Sequence, residues 1–231
     1  MKTNAFIFAR GGSKGLPGKN IKPLNNKPLL QYSIDTAKQC PSINAIYVST
    51  DDDEIARVAE ENGATVIRRP NELASDTSSE WLAWRHAIEW VKKRDGEFDE
   101  FVTLPATSPL RSVEDVERAI AKRVNSNADI CISVTPASRS PYFNMVKFVD
   151  DDYVRLVEEP AGEVQRRQDA PPVYDITTVV YATTPQFVLN NYGLFSGRVT
   201  SIIVPKERAV DIDDIYDFYM AEILLREMKN G

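Results

Sequence analysis

A chain of 231 residues with 42% hydrophobic content is long enough to fill one sizeable core. Its 34 acidic residues outnumber 28 basic ones, for a formal net charge of −6. That balance excludes nucleic acid and anionic membrane surfaces as main partners, and any bound polyanion has to be met by a local basic cluster.

The chain start carries one short apolar run, broken at once by Arg10 and glycines. It is too brief for a secretory leader, and no run approaches membrane-spanning length, so a cytoplasmic location is expected. Cys40 and Cys131 show no CxxC spacing, and His86 is the single histidine, so a disulfide framework, a zinc site and a histidine metal cluster are not expected. His86 is read as a helix-surface or packing residue.

In chain order, a strand at 5–9, a helix at 31–39, a strand at 45–50, a helix at 53–62 and a strand at 64–67 spell the βαβ alternation of a mostly parallel sheet. The helix at 53–62 follows Asp51-Asp52-Asp53, carries Ile55, Ala56, Val58 and Ala59 on one side, and ends at Asn62-Gly63. Trp81, Trp84, Ile88 and Val91 recur at helical spacing, which predicts an amphipathic helix over 80–94 with core tryptophans. Buried strands are expected at 101–104 and 130–134, on either side of a helix at 113–124.

From Pro136 the pattern changes. Residues 143–149 and 153–157 flank Asp150-Asp151-Asp152 and read as an antiparallel hairpin, with 137–165 as an inserted arm. Strands at 178–183 and 200–204 return to the sheet, and an amphipathic helix at 213–228 closes the chain. The expected architecture is α/β, a three-layer Rossmann-like, mostly parallel sheet in a single domain over 1–231.

The loop Arg10-Gly11-Gly12-Ser13-Lys14-Gly15-Leu16-Pro17-Gly18-Lys19-Asn20 holds four glycines, two lysines and an arginine directly after the first strand. Glycines let backbone N–H groups approach phosphate oxygens, and the cations neutralise their charge. A nucleoside triphosphate fits that combination. The loop is neither a Walker A motif nor GxGxxG, and from composition alone a solvated glycine-rich turn stays open. Near the other end, Asp211 and Asp213 flank Ile212, so an extended backbone puts both carboxylates on one side and Ile212 on the core side. They suit a hard cation shared with phosphates, or, with Asp214, the acidic N-cap of the last helix. Asp76 and Thr77 can cap the helix that follows.

Taken as a string, the loop resembles the N-terminal signature of the acylneuraminate cytidylyltransferase (CMP-sialic acid synthetase) family, within the sugar nucleotidyltransferases. The likeness continues in order through Ser49-Thr50-Asp51, Arg69-Pro70-Asn71-Glu72-Leu73-Ala74-Ser75-Asp76-Thr77, Ala106-Thr107-Ser108-Pro109-Leu110-Arg111, Arg167-Gln168 and Asp211-Ile212-Asp213. It implies the nucleotide-diphospho-sugar transferase type of sheet, a homodimer, and transfer of CMP from CTP to the anomeric hydroxyl of a nine-carbon sugar acid, dependent on Mg²⁺ or Mn²⁺. By the same resemblance Ala9, Arg10, Gly12, Ser13, Lys14 and Lys19 hold the nucleotide, with Lys19, Arg10 and Asp211 serving catalysis. Asn20 and Arg69 contact the cytidine, and the segment Asp76-Thr77-Ser78-Ser79 brings hydroxyls near the nucleotide. Thr107, Arg167, Gln168, Asp175, Thr177 and Tyr181 face the acceptor, and Asp211 and Asp213 hold the metal.

The sequence departs from the sialic acid enzymes at two places. Asp175-Ile176-Thr177-Thr178 stands where an Arg-Pro-Asn-Gly-like stretch is common, and Pro105-Ala106 stands where Gln-Pro or Gln-Ala is usual before Thr-Ser-Pro. Both fall on the acceptor half, which points to a legionaminic- or pseudaminic-type acid in place of N-acetylneuraminate. The alternatives are an octulosonate acceptor with CTP, a hexose phosphate with GTP, and a non-catalytic nucleotide-binding protein.

Overall fold

A computed structural model describes residues 1–75, 77–160, 162 and 164–230, with 229 and 230 described by backbone alone. The first strand, β1 (Thr3–Phe8), is apolar on both faces and almost wholly buried, as a central strand has to be. It pairs in parallel with β2 (Ile43–Thr50) on one side and β4 (Glu100–Thr103) on the other. Beyond β2 lies β3 (Thr65–Arg68), also parallel. On the other flank β8 (Tyr174–Thr183) runs antiparallel between β4 and β5 (Ile130–Pro136), and β9 (Val199–Ile203) pairs in parallel with β5. The seven strands therefore stand in the order β9-β5-β8-β4-β1-β2-β3.

Helices cover both faces. α1 (Leu29–Gln39), α2 (Asp53–Glu61) and α4 (Val113–Ser126) bury Ile34, Ile55, Val58, Val116 and Ile120 against one face. α3 (Glu80–Asp95) and the short α5 (Pro185–Asn190) bury Trp81, Trp84, Ile88 and Phe187 against the other. There Phe6 and Phe101 pack in a tilted pair with ring centroids 4.5 Å apart, and burial of such side chains contributes about 1.5–3 kcal/mol each. The expected three-layer α/β architecture is therefore present. His86 is half-buried on α3, where burial lowers its pKa.

Local chemistry explains the helix ends. Asp52 accepts from the Ile55 N–H (2.9 Å) to start α2, and Gly63 takes a left-handed φ of 71° just past its end. α4 begins with a reciprocal Ser112–Asp115 capping box. α6 (Ile215–Asn230) starts later than residue 213, because Asp214 takes the cap position and accepts from Tyr216 N (2.7 Å) and Asp217 N (3.1 Å). The inserted hairpin is present but shorter than expected, as β6 (Val146–Phe148) and β7 (Val154–Leu156). Among the described residues no helix is long and apolar enough to cross a membrane.

A third apolar cluster positions the site. Leu16 of the glycine-rich loop, Leu110, Ile212 and Phe218 of α6 pack together, which ties the loop to the Asp211–Asp213 segment. β1 connects to β2 on one side while β4 lies on its other side, so a crevice opens at the carboxyl ends of these strands, the usual ligand position in such sheets.

Candidate active site

The crevice is a cleft of about 320 Å³ lined by Phe8, Arg10, Ser13, Lys19, Asn20, Arg69, Leu73, Ser75, Ser78, Glu80, Ala83 and Thr107. Its basic side is built by the loop after β1 and its far side by the segment before α3. Asn20 is buried and donates to the Arg10 carbonyl (3.0 Å), which closes the loop on itself, and the Arg10 guanidinium reaches the Ala74 carbonyl (3.4 Å). Arg69 is buried, held by the Ser49 hydroxyl (3.1 Å) and carbonyl (2.7 Å), with Phe8 beneath its guanidinium at 5.6 Å. Burial lowers the Arg69 pKa, against the pull of Asp51 and Glu80.

Lys19 links the loop to the C-terminal carboxylates. Its ammonium donates to the Ile212 carbonyl (2.6 Å) and lies 3.5 Å from Asp213. Ile212 is fully buried, and its N–H donates to the Thr107 carbonyl (2.9 Å), so Asp211 and Asp213 stand on either side of an anchored residue. Burial pushes the Asp211 carboxyl up, helped by Asp213, while the hydroxyls of Thr107 and Thr178 and the Lys19 ammonium hold it down. Its Oδ1 is buried without a hydrogen-bond partner among the described residues. A buried carboxylate oxygen left unpaired beside a second carboxylate is the donor set a hard divalent cation satisfies, so the pair fits such an ion. Of the three acidic residues there, the helix cap falls to Asp214, which leaves the other two outside that role.

Thr178 reaches this point because β8 is irregular. The register slips between Thr177 and Tyr181, and the Ser133 hydroxyl fills the gap by accepting from Val180 N (3.0 Å). Arg111, fully desolvated, donates to the Val179 carbonyl (2.7 Å), the Ser33 hydroxyl (2.6 Å) and the Pro105 carbonyl. It locks the bulge to the 105–111 loop, where Ser108 and Thr178 share a hydroxyl contact of 2.7 Å.

The structure gathers Arg10, Ser13, Lys19, Asn20, Arg69, Ser78 and Thr107 on one cleft, with Asp211 and Asp213 at its edge. Tyr181 sits close by, 6.0 Å from Trp84, its hydroxyl pKa pushed up to about 12 by burial and by Glu80 and Asp211.

Other expected residues fall elsewhere. Ala9 is buried, with its N–H donating to Ser49, and Gly12 and Lys14 are exposed parts of the loop outside the cleft wall. Ser79, not Thr77, caps α3 by accepting from Trp81 N (3.2 Å), and Asp76 lies outside the described residues. Thr177 is buried, its hydroxyl donating to Ser133 (2.9 Å), and Asp175 pairs with Thr135 in the ladder. Arg167 and Gln168 are exposed on a turn, and Arg167 lines a second cleft with Arg139 and Tyr174, its guanidinium on the Ala137 carbonyl (2.8 Å). Phe8, Leu73, Ser75, Glu80 and Ala83 complete the cleft wall. Glu80 opens a helix whose periodicity assigns only its buried face, so nothing local marks it.

A basic glycine-rich loop at the switch point of a mostly parallel sheet, facing a carboxylate pair, defines a nucleotidyltransferase. The chain belongs to the cytidylyltransferase family, whose model matches residues 5–222. It is 34% identical to the CMP-N,N′-diacetyllegionaminic acid synthase of Campylobacter jejuni, over 97% of this chain and 94% of that one. It is also 34% identical to the post-translational flagellin modification protein B of Campylobacter coli, over 96% and 94%. Its fold matches the CMP:2-keto-3-deoxy-manno-octonic acid synthetase solved with CTP at a TM-score of 0.74 and 18% identity, covering 99% of this chain and 100% of that one.

Proposed function

We propose that the protein transfers the CMP moiety of CTP to the anomeric hydroxyl of a nonulosonic, sialic-acid-like sugar acid, releasing pyrophosphate. The observation that carries this reading is the convergence of Arg10, Ser13, Lys19 and Arg69 on one cleft edged by Asp211 and Asp213. The anomeric hydroxyl oxygen forms a bond to the α-phosphorus and gives up its proton to solvent, while the bond from the α-phosphorus to the oxygen shared with the β-phosphate breaks and that oxygen leaves with pyrophosphate. Charge grows on phosphate oxygens, so positioned cations supply most of the acceleration and no covalent nucleophile is needed. Lys19, fixed between Ile212 and Asp213, stands at the boundary between the triphosphate loop and the carboxylates, and Arg10 and Ser13 hold the phosphates beside it.

Mg²⁺, or Mn²⁺ in its place, would be held by Asp211 and Asp213. Bound there, it would supply positive charge to offset that of the phosphates. Arg69 and Asn20 take the nucleoside end, and Thr107 and Tyr181 the acceptor end. The acceptor is of the legionaminic or pseudaminic type, because the departures from the sialic acid enzymes at Pro105-Ala106 and Asp175–Thr178 fall on the acceptor half while the loop and the carboxylates are intact. The product is an activated sugar for cell-surface polysaccharide assembly, made in the cytoplasm, and the hairpin arm joins two copies into a homodimer.

Pyrophosphate release from CTP and Mg²⁺ with legionaminic, pseudaminic, N-acetylneuraminic and octulosonic acids tests the reading. Turnover is expected with one of the first two and is abolished by EDTA. N-acetylneuraminate or octulosonate as best acceptor by a wide margin overturns the acceptor class, and silence with all four overturns the activity.

A further inference from the structure

Glu80 is the acidic side chain among the described residues of a cleft wall otherwise built from cations, hydroxyls, the Asn20 amide and apolar groups. Its Oε1 accepts from the Trp84 indole N–H (3.2 Å), which fixes the carboxylate at the first turn of α3, and the other oxygen has no protein donor among the described residues. Trp84 packs against Phe8, whose ring lies beneath Arg69, so Glu80 and Arg69 are braced by one aromatic row and face the same space. Each feels the other's charge. The Arg69 Nε and Nη2 are held by Ser49, which leaves Nη1 as the donor free of that contact.

A carboxylate here repels a triphosphate and an acidic acceptor alike, so it has to meet an uncharged, hydrogen-donating part of the ligand. The edge of cytosine offers an exocyclic amine beside two acceptors, and a carboxylate is the side chain that accepts from that amine. Uracil places an oxygen at the same position, which a carboxylate repels. We infer that Glu80 determines the base: its free oxygen accepts from the cytosine 4-amino group while Arg69 donates to the ring nitrogen or 2-oxygen. The inference rests on the nucleotide proposed above and adds how CTP is told from UTP.

The test is equilibrium titration of CTP and UTP, with Mg²⁺ and no acceptor, into the wild-type chain, Glu80→Ala and Glu80→Gln, with circular dichroism checking that the fold persists. Wild type is expected to prefer CTP. Glu80→Ala lowers that preference by about ten- to a hundredfold. Glu80→Gln keeps the Trp84 bond through its amide oxygen and turns an N–H toward the base, so it shifts the preference further toward UTP. Equal weakening for both nucleotides assigns the carboxylate to the ribose and overturns the inference. So does an unchanged preference in folded variants. Because no acceptor is present, a wild type that binds CTP over UTP but turns over no sugar acid leaves Glu80 tested while the proposed reaction fails. A wild type that binds neither nucleotide overturns both.

Discussion

At the residue scale the closest tolerance in the site is at Gly15. A Cβ on this residue would collide with the Asp213 carbonyl oxygen, so the glycine-rich loop and the carboxylate segment approach each other only because residue 15 has no side chain. Gly15→Ala is expected to displace Asp213 and the Lys19 contact and to lower kcat by about 10²-fold, with circular dichroism unchanged. Full activity in that variant would detach the backbone contact from the chemistry. The cations of the loop and the Asp211/Asp213 pair were legible because their chemistry is local: spacing alone groups them. Arg111, Ser133 and Thr178 were not legible as a unit. They meet through a strand irregularity and a buried guanidinium that join positions far apart in sequence, and no short-range pattern encodes such a contact.

At the scale of elements, α4 and β4 are joined by a buried ion pair between Arg123 and Glu100. Burial pushes the Glu100 carboxyl up from 4.5 to about 7, against the pull of Arg123. The folded state therefore binds this proton more tightly than the unfolded chain, and the group's contribution to stability weakens as pH rises from about 4.5 through 7. Arg123→Ala leaves the carboxylate unpaired and is expected to cost about 3–5 kcal/mol at pH 8, and less at pH 5, where Glu100 takes up its proton. Urea titrations at both pH values measure it, and an equal loss at the two pH values would refute the assignment. Helices announced themselves through caps and periodicity, as at Asp52 and Ser112. Where several acidic residues competed for one cap, at Asp211, Asp213 and Asp214, sequence left the choice open, and the hydrogen bonds from Tyr216 and Asp217 settled the cap on Asp214.

At the scale of the whole molecule, the hairpin of β6 and β7 leaves Val146, Phe148, Tyr153 and Val154 exposed, with Phe148 at 77%. A two-stranded hairpin with an uncovered apolar surface is marginal in water. Light scattering is expected to give a dimer, and Phe148→Asp with Val146→Asp a folded monomer. A wild-type monomer at micromolar concentration contradicts the arm's role.

The sequence alone determined the alternation of strands and helices, the basic glycine-rich loop, the inserted hairpin and the family, because each rests on short-range periodicity or on an ordered string of motifs. Only the tertiary structure decided that Arg167 and Gln168 lie off the main cleft, that Thr177 is spent in the sheet, and that Glu80 and Arg69 line the same cleft. Those facts depend on which strands neighbour one another and where β8 slips its register. Sheet order and register are set by the packing of the whole core, so they exist only once the chain has closed.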